Sequence, residues 1–320
     1  MDSFNTLSGY LSALPTPFSE DGGAVDEAAF SAFCEWQIAQ RISGLVVCGT
    51  TGEAPTLSVC EQRRLVELAV ETAVGRVPVI AGDGSNNTAH AVELAQTAEA
   101  AGADGILAVV PYYNRPSQEG LYRHFRAIAM AVGIPVLLYD VPSRTGCGLG
   151  DETVARLAEV RGIAGLKDAT GDLSRPVRLR RLLGPAFRLL TGDDATALGY
   201  LAQGGDGCIS VTSNVAPKLC VRMYAAWEIG DHREAQAIAL VLGKLTSALF
   251  AESNPVPVKY ALSVIGYMSA HVRLPLCEPS EDTQRKVMMA LECVGKRAPA
   301  RAVRRAAGTH ARSALGNAVV

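Results

Sequence analysis

The chain has 320 residues and a formal net charge of −2, with 48% hydrophobic and 19% charged residues. This length accommodates a single α/β barrel of roughly 250 residues together with an appendage. Neither a secretory signal nor an apolar stretch long enough to span a bilayer is present, so we expect a soluble, cytoplasmic protein with no membrane partner.

Short apolar runs recur through the first two thirds of the chain. Most are continuous rather than alternating, which is typical of parallel strands buried on both faces. We predict eight strands, over residues 11–16, 44–48, 77–81, 105–110, 135–139, 164–167, 187–190 and 207–211. Stretches of helical length separate them, such as 26–40 with Asp26 as N-cap and 58–74 with Ser58 and Glu61 as a capping box.

Eight alternations of strand and helix predict a (β/α)8 TIM barrel over residues 1–230, which we expect to be the catalytic domain. A doubly wound open sheet is the competing architecture, but no strand is followed by G-x-G-x-x-G. After Gly230 the strand signal stops, and helices are predicted over 233–250, 256–269 and 280–293. We therefore predict a C-terminal helical domain over 231–295.

Residues 296–320 form a basic tail with six Lys and Arg residues and no acid, which leaves a net charge of −8 on the rest of the chain. The tail has no sustained apolar period, so we expect it to be disordered. A basic tail can contact nucleic acid or an acidic partner, or it can be a solvated extension. We favour the solvated extension and predict no nucleic-acid partner.

The cysteines and histidines give no metal signature. The eight cysteines show no C-x-x-C spacing, and the five histidines form no H-E-x-x-H motif. Cys48 and Cys208 lie inside apolar runs, which favours reduced thiols in the core. We expect no metal and no disulfide.

Functional groups of such barrels gather at the carboxyl ends of the strands. Lys167, at the end of the sixth predicted strand, is the only one of the six lysines in a barrel run. An ammonium beside low-dielectric walls is costly, so a free amine becomes available to attack a carbonyl. The alternative is a structural lysine paired with Asp168, and position alone does not decide between them.

Two further strand ends, those of the second and the fifth predicted strands, carry candidate groups. Tyr139 could shuttle protons, or it could merely satisfy its hydroxyl in the core. Thr50 and Thr51 lie in a glycine-flanked turn that could grip a carboxylate, or that could be an ordinary loop. Arg144 can donate two parallel hydrogen bonds to a second carboxylate, although most loop arginines are solvated. Together with Lys167, these groups suit Schiff-base chemistry on a 2-oxo acid.

Four segments in order carry a family resemblance. They are G-T-T-G-E at 49–53, P-Y-Y-N-R-P at 111–116, Y-D-V-P-S-R-T-G at 139–146 and G-L-K-D-A-T at 165–170. With them, the chain from about residue 11 to residue 293 resembles the dihydrodipicolinate synthase and N-acetylneuraminate lyase superfamily.

The resemblance implies that Lys167 forms an imine with pyruvate, whose carboxylate rests on Thr50 and Thr51. Tyr139 would relay protons with Thr50 and with Tyr113, the latter reaching in from a neighbouring subunit of a homotetramer built as a dimer of dimers. The iminium would serve as the electron sink, so we expect no cofactor.

The resemblance also implies that Gly192 and Ile209 line the site through backbone groups. Arg144 after Pro-Ser is similar to the synthase pattern, in which the arginine holds the carboxylate of L-aspartate 4-semialdehyde. The implied product is 4-hydroxy-tetrahydrodipicolinate, at the first committed step of lysine biosynthesis through diaminopimelate. Asp140 departs from the usual Asn and adds a negative charge beside Tyr139.

Other functions stay open from the sequence. The nearest is a pyruvate-dependent aldolase of the same superfamily that acts on a sugar acid or on 4-hydroxy-2-oxoglutarate. A non-catalytic paralogue and a phosphate- or flavin-binding barrel come from other classes. The residues that match the family's lysine-inhibition cleft are Ala54, Val59, Gln62, Asn86, His90 and Tyr112. Acidic partners for a cationic amino acid are missing among them, so we expect weak or absent inhibition by lysine.

Overall fold

The computed structural model describes residues 7–295 and contains a closed barrel of eight parallel strands. Each strand pairs with the next along the chain, and the last pairs with the first, which confirms the predicted (β/α)8 fold. The strands are β1 (Gly9–Ala13), β2 (Gly44–Val47), β3 (Val79–Gly82), β4 (Gly105–Val109), β5 (Val136–Asp140), β6 (Ile163–Asp168), β7 (Arg188–Thr191) and β8 (Gly207–Ser210).

Helices surround the barrel and continue beyond its last strand. Those that follow the first four strands are α1 (Glu27–Ala39), α2 (Val59–Ala73), α3 (Thr88–Ala100) and α4 (Gln118–Ala131). The next are α5 (Pro142–Thr145), α6 (Asp151–Ala158), α7 (Arg175–Leu183), α8 (Ala197–Ala202) and α9 (Pro217–Glu228). The C-terminal helices are α10 (His232–Leu249), α11 (Val256–Val264) and α12 (Glu281–Cys293).

The two predicted helix starts are confirmed. The Asp26 side chain accepts a hydrogen bond from the backbone N–H of Ala29 at the start of α1. At the start of α2, Ser58 and Glu61 form both halves of a capping box. These caps satisfy backbone donors that a helix leaves free in its first turn.

Two predicted boundaries are wrong for identifiable reasons. The first strand ends at Ala13 rather than at residue 16, because Pro15 and Pro17 lack the N–H that a strand ladder requires. Helix α11 ends at Val264 rather than at residue 269, because Gly266 has a φ of 87° and terminates it.

Side chains of the strands alternate between two apolar layers. One layer fills the barrel interior, and the other lies between the strands and the surrounding helices. The interior layer consists of Leu7, Leu11, Ala13, Val46, Ile80, Leu107, Leu137, Tyr139, Val141, Leu190 and Ile209. The alternation thus directs Tyr139 at the end of β5 into the barrel.

The C-terminal helices pack beside the barrel, with α10 along α9 and α12 against α10 and α11. Gly230, with a φ of 79°, ends the barrel helices, and the Asp231 side chain caps α10. A domain division at residues 230 and 231 stays a prediction. The tail predicted over 296–320 lies outside the described residues.

All eight cysteines are free, but the expectation of core thiols holds for only four of them, Cys34, Cys48, Cys208 and Cys220, because Cys60, Cys277 and Cys293 are exposed and Cys147 is partly exposed. Within residues 7–295, no helix has the length and apolar character needed to cross a bilayer.

Candidate active site

A cavity of about 340 Å³ opens at the carboxyl end of the barrel. Three of the predicted site residues, Thr50, Tyr139 and Arg144, line it. Asn254 and Leu276 also line it, from the segments on either side of α11. The cavity has the size of a small-molecule site and lies where barrel enzymes carry their chemistry.

Lys167 and Tyr139 lie side by side at this end of the barrel. They are direct neighbours across β5 and β6, and the Lys167 Nζ lies 4.1 Å from the centre of the Tyr139 ring. Lys167 is 6% exposed, and Tyr139 lines the cavity. Lys167 is not among the residues that line the cavity, but it contacts the ring of Tyr139, which does, and it is largely shielded from bulk water.

The interpretation of Lys167 as a structural lysine paired with Asp168 is wrong. Successive side chains of a strand point to opposite faces, and the Asp168 carboxylate accepts hydrogen bonds from Thr170 and from Arg175. Within residues 7–295, no carboxylate forms an ion pair with Lys167. The amine is thus held beside an aromatic ring without a counter-charge.

Gly192 lies beside the Lys167 stem, and Ile209 lies in the interior layer of the barrel. A Cβ at Gly192 would come within 2.8 Å of Lys167 Cε, so only glycine leaves room for the lysine stem. Ile209 is 1% exposed and belongs to the interior layer that contains Tyr139. Gly192 therefore borders the lysine stem, whereas a contact of Ile209 with the site and the backbone contacts of both residues with a substrate stay predictions.

The Thr50–Thr51 turn follows β2 directly. Thr50 faces the cavity, whereas Thr51 is buried and accepts a hydrogen bond of 2.9 Å from Asn254 Nδ2. The Asn254 carbonyl in turn accepts from Arg144 Nη2 at 3.4 Å. Asn254 links the two predicted carboxylate-binding elements, and the sequence analysis missed it because it lies about 200 residues from the turn.

A second buried lysine was also missed. Lys259 in α11 is fully buried, and its Nζ lies 2.7 Å from Glu53 Oε1. Burial lowers the pKa of Lys259 to about 8, although the adjacent Glu53 carboxylate opposes that shift. Glu53 also accepts from the backbone N–H of Arg273, so it fastens the C-terminal segment to the mouth of the barrel. Lys259 is therefore an anchoring group rather than a free amine.

Tyr113 does not reach the cavity of its own chain. Its side chain is 89% exposed, and its φ of 71° is in a region that non-glycine residues rarely adopt. The preceding Tyr112 does line the cavity. An exposed aromatic ring held on a strained backbone fits the expectation that Tyr113 acts across a subunit contact, which stays a prediction.

The charge of Asp140 is directed away from the cavity. Asp140 is fully buried, and its Oδ2 lies 2.8 Å from Arg175 Nη1. It also accepts from the backbone N–H of Leu149. The negative charge beside Tyr139 is therefore on the outer face of β5 and is paired, which weakens the argument that it alters the substrate.

Asp83 is a buried carboxyl at the end of β3, between two glycines that line the cavity. Neither of its oxygens has a hydrogen-bond partner within the described part of the chain. Burial raises the pKa of Asp83 well above its ordinary value. Because the folded state disfavours the ionised form, the contribution of Asp83 to the free energy of unfolding falls as pH rises above about 4.

We expect Asp83→Asn to be more stable than the parent at about pH 7 by about 1 kcal/mol or more. The difference should shrink toward about pH 4, where the carboxyl is protonated in both the folded and the unfolded chain. Denaturant titrations across this pH range measure it. A stability difference that is independent of pH would show that Asp83 does not titrate differently in the two states.

Comparisons with known proteins agree with this arrangement. Residues 6–294 match the Dihydrodipicolinate synthetase family. The 4-hydroxy-tetrahydrodipicolinate synthase of Acidiphilium cryptum (strain JF-5) is 52% identical over 287 residues, which cover 90% of this chain and 98% of the relative.

Solved structures with the same fold are also similar in sequence. The crystal structure of a chloride-inhibited dihydrodipicolinate synthase from Acinetobacter baumannii, complexed with pyruvate, has a TM-score of 0.88 at 42% identity and covers 91% of this chain and 100% of that chain. A monomeric dihydrodipicolinate synthase variant has a TM-score of 0.89 at 37% identity, and the match covers 92% of this chain and 99% of that chain. The family match spans the barrel and the C-terminal helices, and one relative is more than half identical to this chain over nearly the whole length of that relative. The chain therefore belongs to the dihydrodipicolinate synthetase family.

Proposed function

We propose that this chain is a 4-hydroxy-tetrahydrodipicolinate synthase that condenses pyruvate with L-aspartate 4-semialdehyde through an imine on Lys167. It is a lyase of the class I type and catalyses the first committed step of lysine biosynthesis through diaminopimelate. The observation that carries the proposal is the buried amine of Lys167, which adjoins Tyr139 and has no carboxylate partner within residues 7–295.

The chemistry follows from this pair of groups. The Lys167 nitrogen attacks the carbonyl carbon of pyruvate, and water leaves as the carbinolamine becomes an iminium. Tyr139, with Thr50 beside the same cavity, carries protons to and from the oxygen that departs. Loss of a methyl proton converts the iminium to an enamine, whose carbon attacks the aldehyde. Attack by the amino group of the semialdehyde on the imine carbon then frees Lys167 and closes the ring.

Two carboxylate sites are needed, one for each substrate. Thr50 and Thr51 would hold the carboxylate of pyruvate, and Arg144 would hold that of the semialdehyde. Asn254 contacts both elements, because its side-chain Nδ2 donates to Thr51 and its backbone carbonyl accepts from Arg144. Thr50 and Arg144 both line the cavity, which supports one carboxylate site on the loop after β2 and a second one on α5.

A pyruvate aldolase that acts on a sugar acid or on 4-hydroxy-2-oxoglutarate would share the imine step. The curated relatives of about half identity are synthases, which favours the semialdehyde as the second substrate. Coupled assays test this choice. We expect turnover of pyruvate with L-aspartate 4-semialdehyde to exceed cleavage of either alternative substrate by about 100-fold or more. Faster cleavage of either alternative substrate than turnover with L-aspartate 4-semialdehyde would contradict the proposed substrate.

Arg144→Met should impair use of the semialdehyde while leaving pyruvate binding intact. Loss of a bidentate, charge-assisted contact should lower kcat/KM for the semialdehyde by about 10- to 100-fold. The yield of the pyruvate adduct captured by borohydride should stay within about twofold of the parent, since imine formation does not use Arg144. An equal loss in both measurements would contradict a role specific to the second substrate.

Tyr113 would complete the site of a neighbouring subunit in a homotetramer built from tight dimers. This assembly rests on the resemblance and on the exposed ring of Tyr113, and one similar structure is a monomeric variant. We expect Tyr113→Phe to lose about 100-fold in kcat, since a proton relay is interrupted.

Complementation between two inactive variants tests whether the site is shared. Coexpression of Tyr113→Phe with Lys167→Met should restore up to about a quarter of the parental activity, because about half of randomly paired dimers are mixed and each contains one complete site. No recovery in demonstrably mixed dimers would place Tyr113 in the site of its own chain.

A cytoplasmic location, a solvated tail and weak or absent inhibition by lysine stay predictions. The last two follow from the composition of residues 296–320 and from the neutral residues at positions 54, 59 and 62. Half-inhibition at submillimolar lysine would contradict the last of them.

A further inference from the structure

A buried guanidinium joins the ends of the two strands that carry Tyr139 and Lys167. Arg175, at the start of α7, is 3% exposed. Its Nη1 lies 2.8 Å from Asp140 Oδ2 and 3.4 Å from Asp168 Oδ1. We propose that Arg175 is a positioning residue that fixes the Lys167 amine relative to the Tyr139 phenol. The proposal rests on the function proposed above, because it concerns the alignment of the same site.

The strand register makes this coupling direct. Tyr139 pairs with Lys167, and one step further Asp140 pairs with Asp168. Because consecutive side chains of a strand point to opposite faces, the two reactive groups point into the barrel and the two aspartates point outward. Arg175 therefore contacts β5 and β6 at the residue that follows the reactive group of each strand. A shift of either aspartate would be transmitted to its neighbour through a single peptide unit.

The guanidinium is held on its other sides as well. Its Nη2 donates to the Leu149 carbonyl at 2.7 Å, and its Nε donates to Asp151 Oδ1 at 3.1 Å. The backbone N–H of Leu149 donates to Asp140. Five donors in a planar fork can satisfy such a set, whereas a lysine ammonium cannot span it. The strand ends are thus tied to the segment that precedes α6.

The charges at this cluster argue for a geometric role. Two fully buried carboxylates share one guanidinium, and Asp140 Oδ1 and Asp168 Oδ2 have no partner within residues 7–295. Burial raises the pKa of Asp140, although the adjacent Arg175 opposes that shift. Apolar packing would usually stabilise such a position at least as well, and buried ion pairs are best attested as devices that fix one geometry.

Arg175→Met and the matched control Arg178→Met test the proposal. Arg178 lies three residues further along α7, is half exposed and contacts Asp151 and Asp172 at the surface. Turnover should be measured per active site, with the sites counted as the pyruvate adduct that borohydride captures. For Arg175→Met we expect kcat per captured site to fall about 10- to 100-fold, because small misplacements of reacting groups have effects of this size. KM for pyruvate should change by less than about threefold, and Arg178→Met should match the parent.

A purely structural role for Arg175 predicts a different result. Fewer sites would be captured and the Tm would fall, but each remaining site would turn over at the parental rate. That outcome would overturn the proposal. If the parent protein captures no pyruvate at all, the proposed function fails together with the inference, whereas unchanged kcat per site in the variant overturns the inference alone.

Asp140 provides a second pair of variants if Arg175→Met does not fold. Asp140→Ala removes the contact between Arg175 and β5. The remaining buried ion pair of Asp168 with Arg175 has no net charge. We expect kcat per captured site to fall about tenfold. Asp140→Asn keeps an oxygen that accepts from Arg175 and Leu149, so it should stay within about threefold of the parent. Equal rates per site for Asp140→Ala and the parent would contradict the positioning role.

Discussion

Lys167→Met should lower the turnover of pyruvate and L-aspartate 4-semialdehyde by at least about a thousandfold, since removal of a covalent nucleophile has effects of this size or larger. Methionine keeps much of the volume of the buried stem beside Gly192 and Tyr139, so we expect the barrel to fold and the Tm to change little. Steady-state kinetics on the purified variant, with its circular dichroism spectrum, measure both expectations.

Lys244→Met is the matched control, because Lys244 lies on α10 and is exposed. It should retain parental kcat and KM. If Lys167→Met retained more than about a tenth of the parental turnover, the imine mechanism at this residue would be contradicted.

Lys259→Met should destabilise the protein by about 3–5 kcal/mol, because it leaves the Glu53 carboxylate buried without its counter-charge. Glu53 would keep only the N–H of Arg273 as a donor among the contacts described for it. Denaturant unfolding at a fixed protein concentration measures the loss. The variant should still capture pyruvate while folded, since Lys259 is held by Glu53 and is not the reacting amine.

The double variant Lys259→Met/Glu53→Gln separates the ion pair from simple packing. It removes both charges, so we expect it to recover about half or more of the stability that Lys259→Met loses. A double variant as unstable as the sum of the two single variants would mean that the two side chains act independently. In that case Glu53 would not anchor the C-terminal segment through Lys259.

The barrel itself could be predicted because its signals are local. Continuous apolar runs mark strands that are buried on both faces, and the caps at Asp26 and Ser58 mark the helices between them. Parallel strands bring all their carboxyl ends to one side, so Lys167 and Tyr139 could be grouped without knowledge of the distances. The observed pairing of these two residues across β5 and β6 matches that reasoning.

The parts of the site that come from distant segments could not be predicted in this way. Asn254 and Lys259 lie in a stretch whose pattern indicates only a buried helix, and nothing local indicates that they contact Thr51 and Glu53. The contact depends on how the C-terminal helices fold back over the barrel. A loop or helix residue that closes a barrel mouth carries no periodic signal of its own.

Asp140 illustrates a different limit. Asp140 departs from the family pattern beside Tyr139, and this suggested a changed active site. The sequence position alone does not indicate on which face of the strand the side chain lies. In the structure it is on the outer face and is paired with Arg175. The partner arginine is 35 residues away, on the helix that follows the next strand. A substitution next to a reactive residue therefore need not alter the site directly.

The mass of the intact protein after borohydride reduction in the presence of pyruvate tests the central claim most directly. We predict that the parent gains the mass of one reduced pyruvyl group per chain, that peptide mapping locates it on Lys167, and that Lys167→Met gains nothing. An unmodified parent, or an adduct that persists in Lys167→Met, would contradict the account.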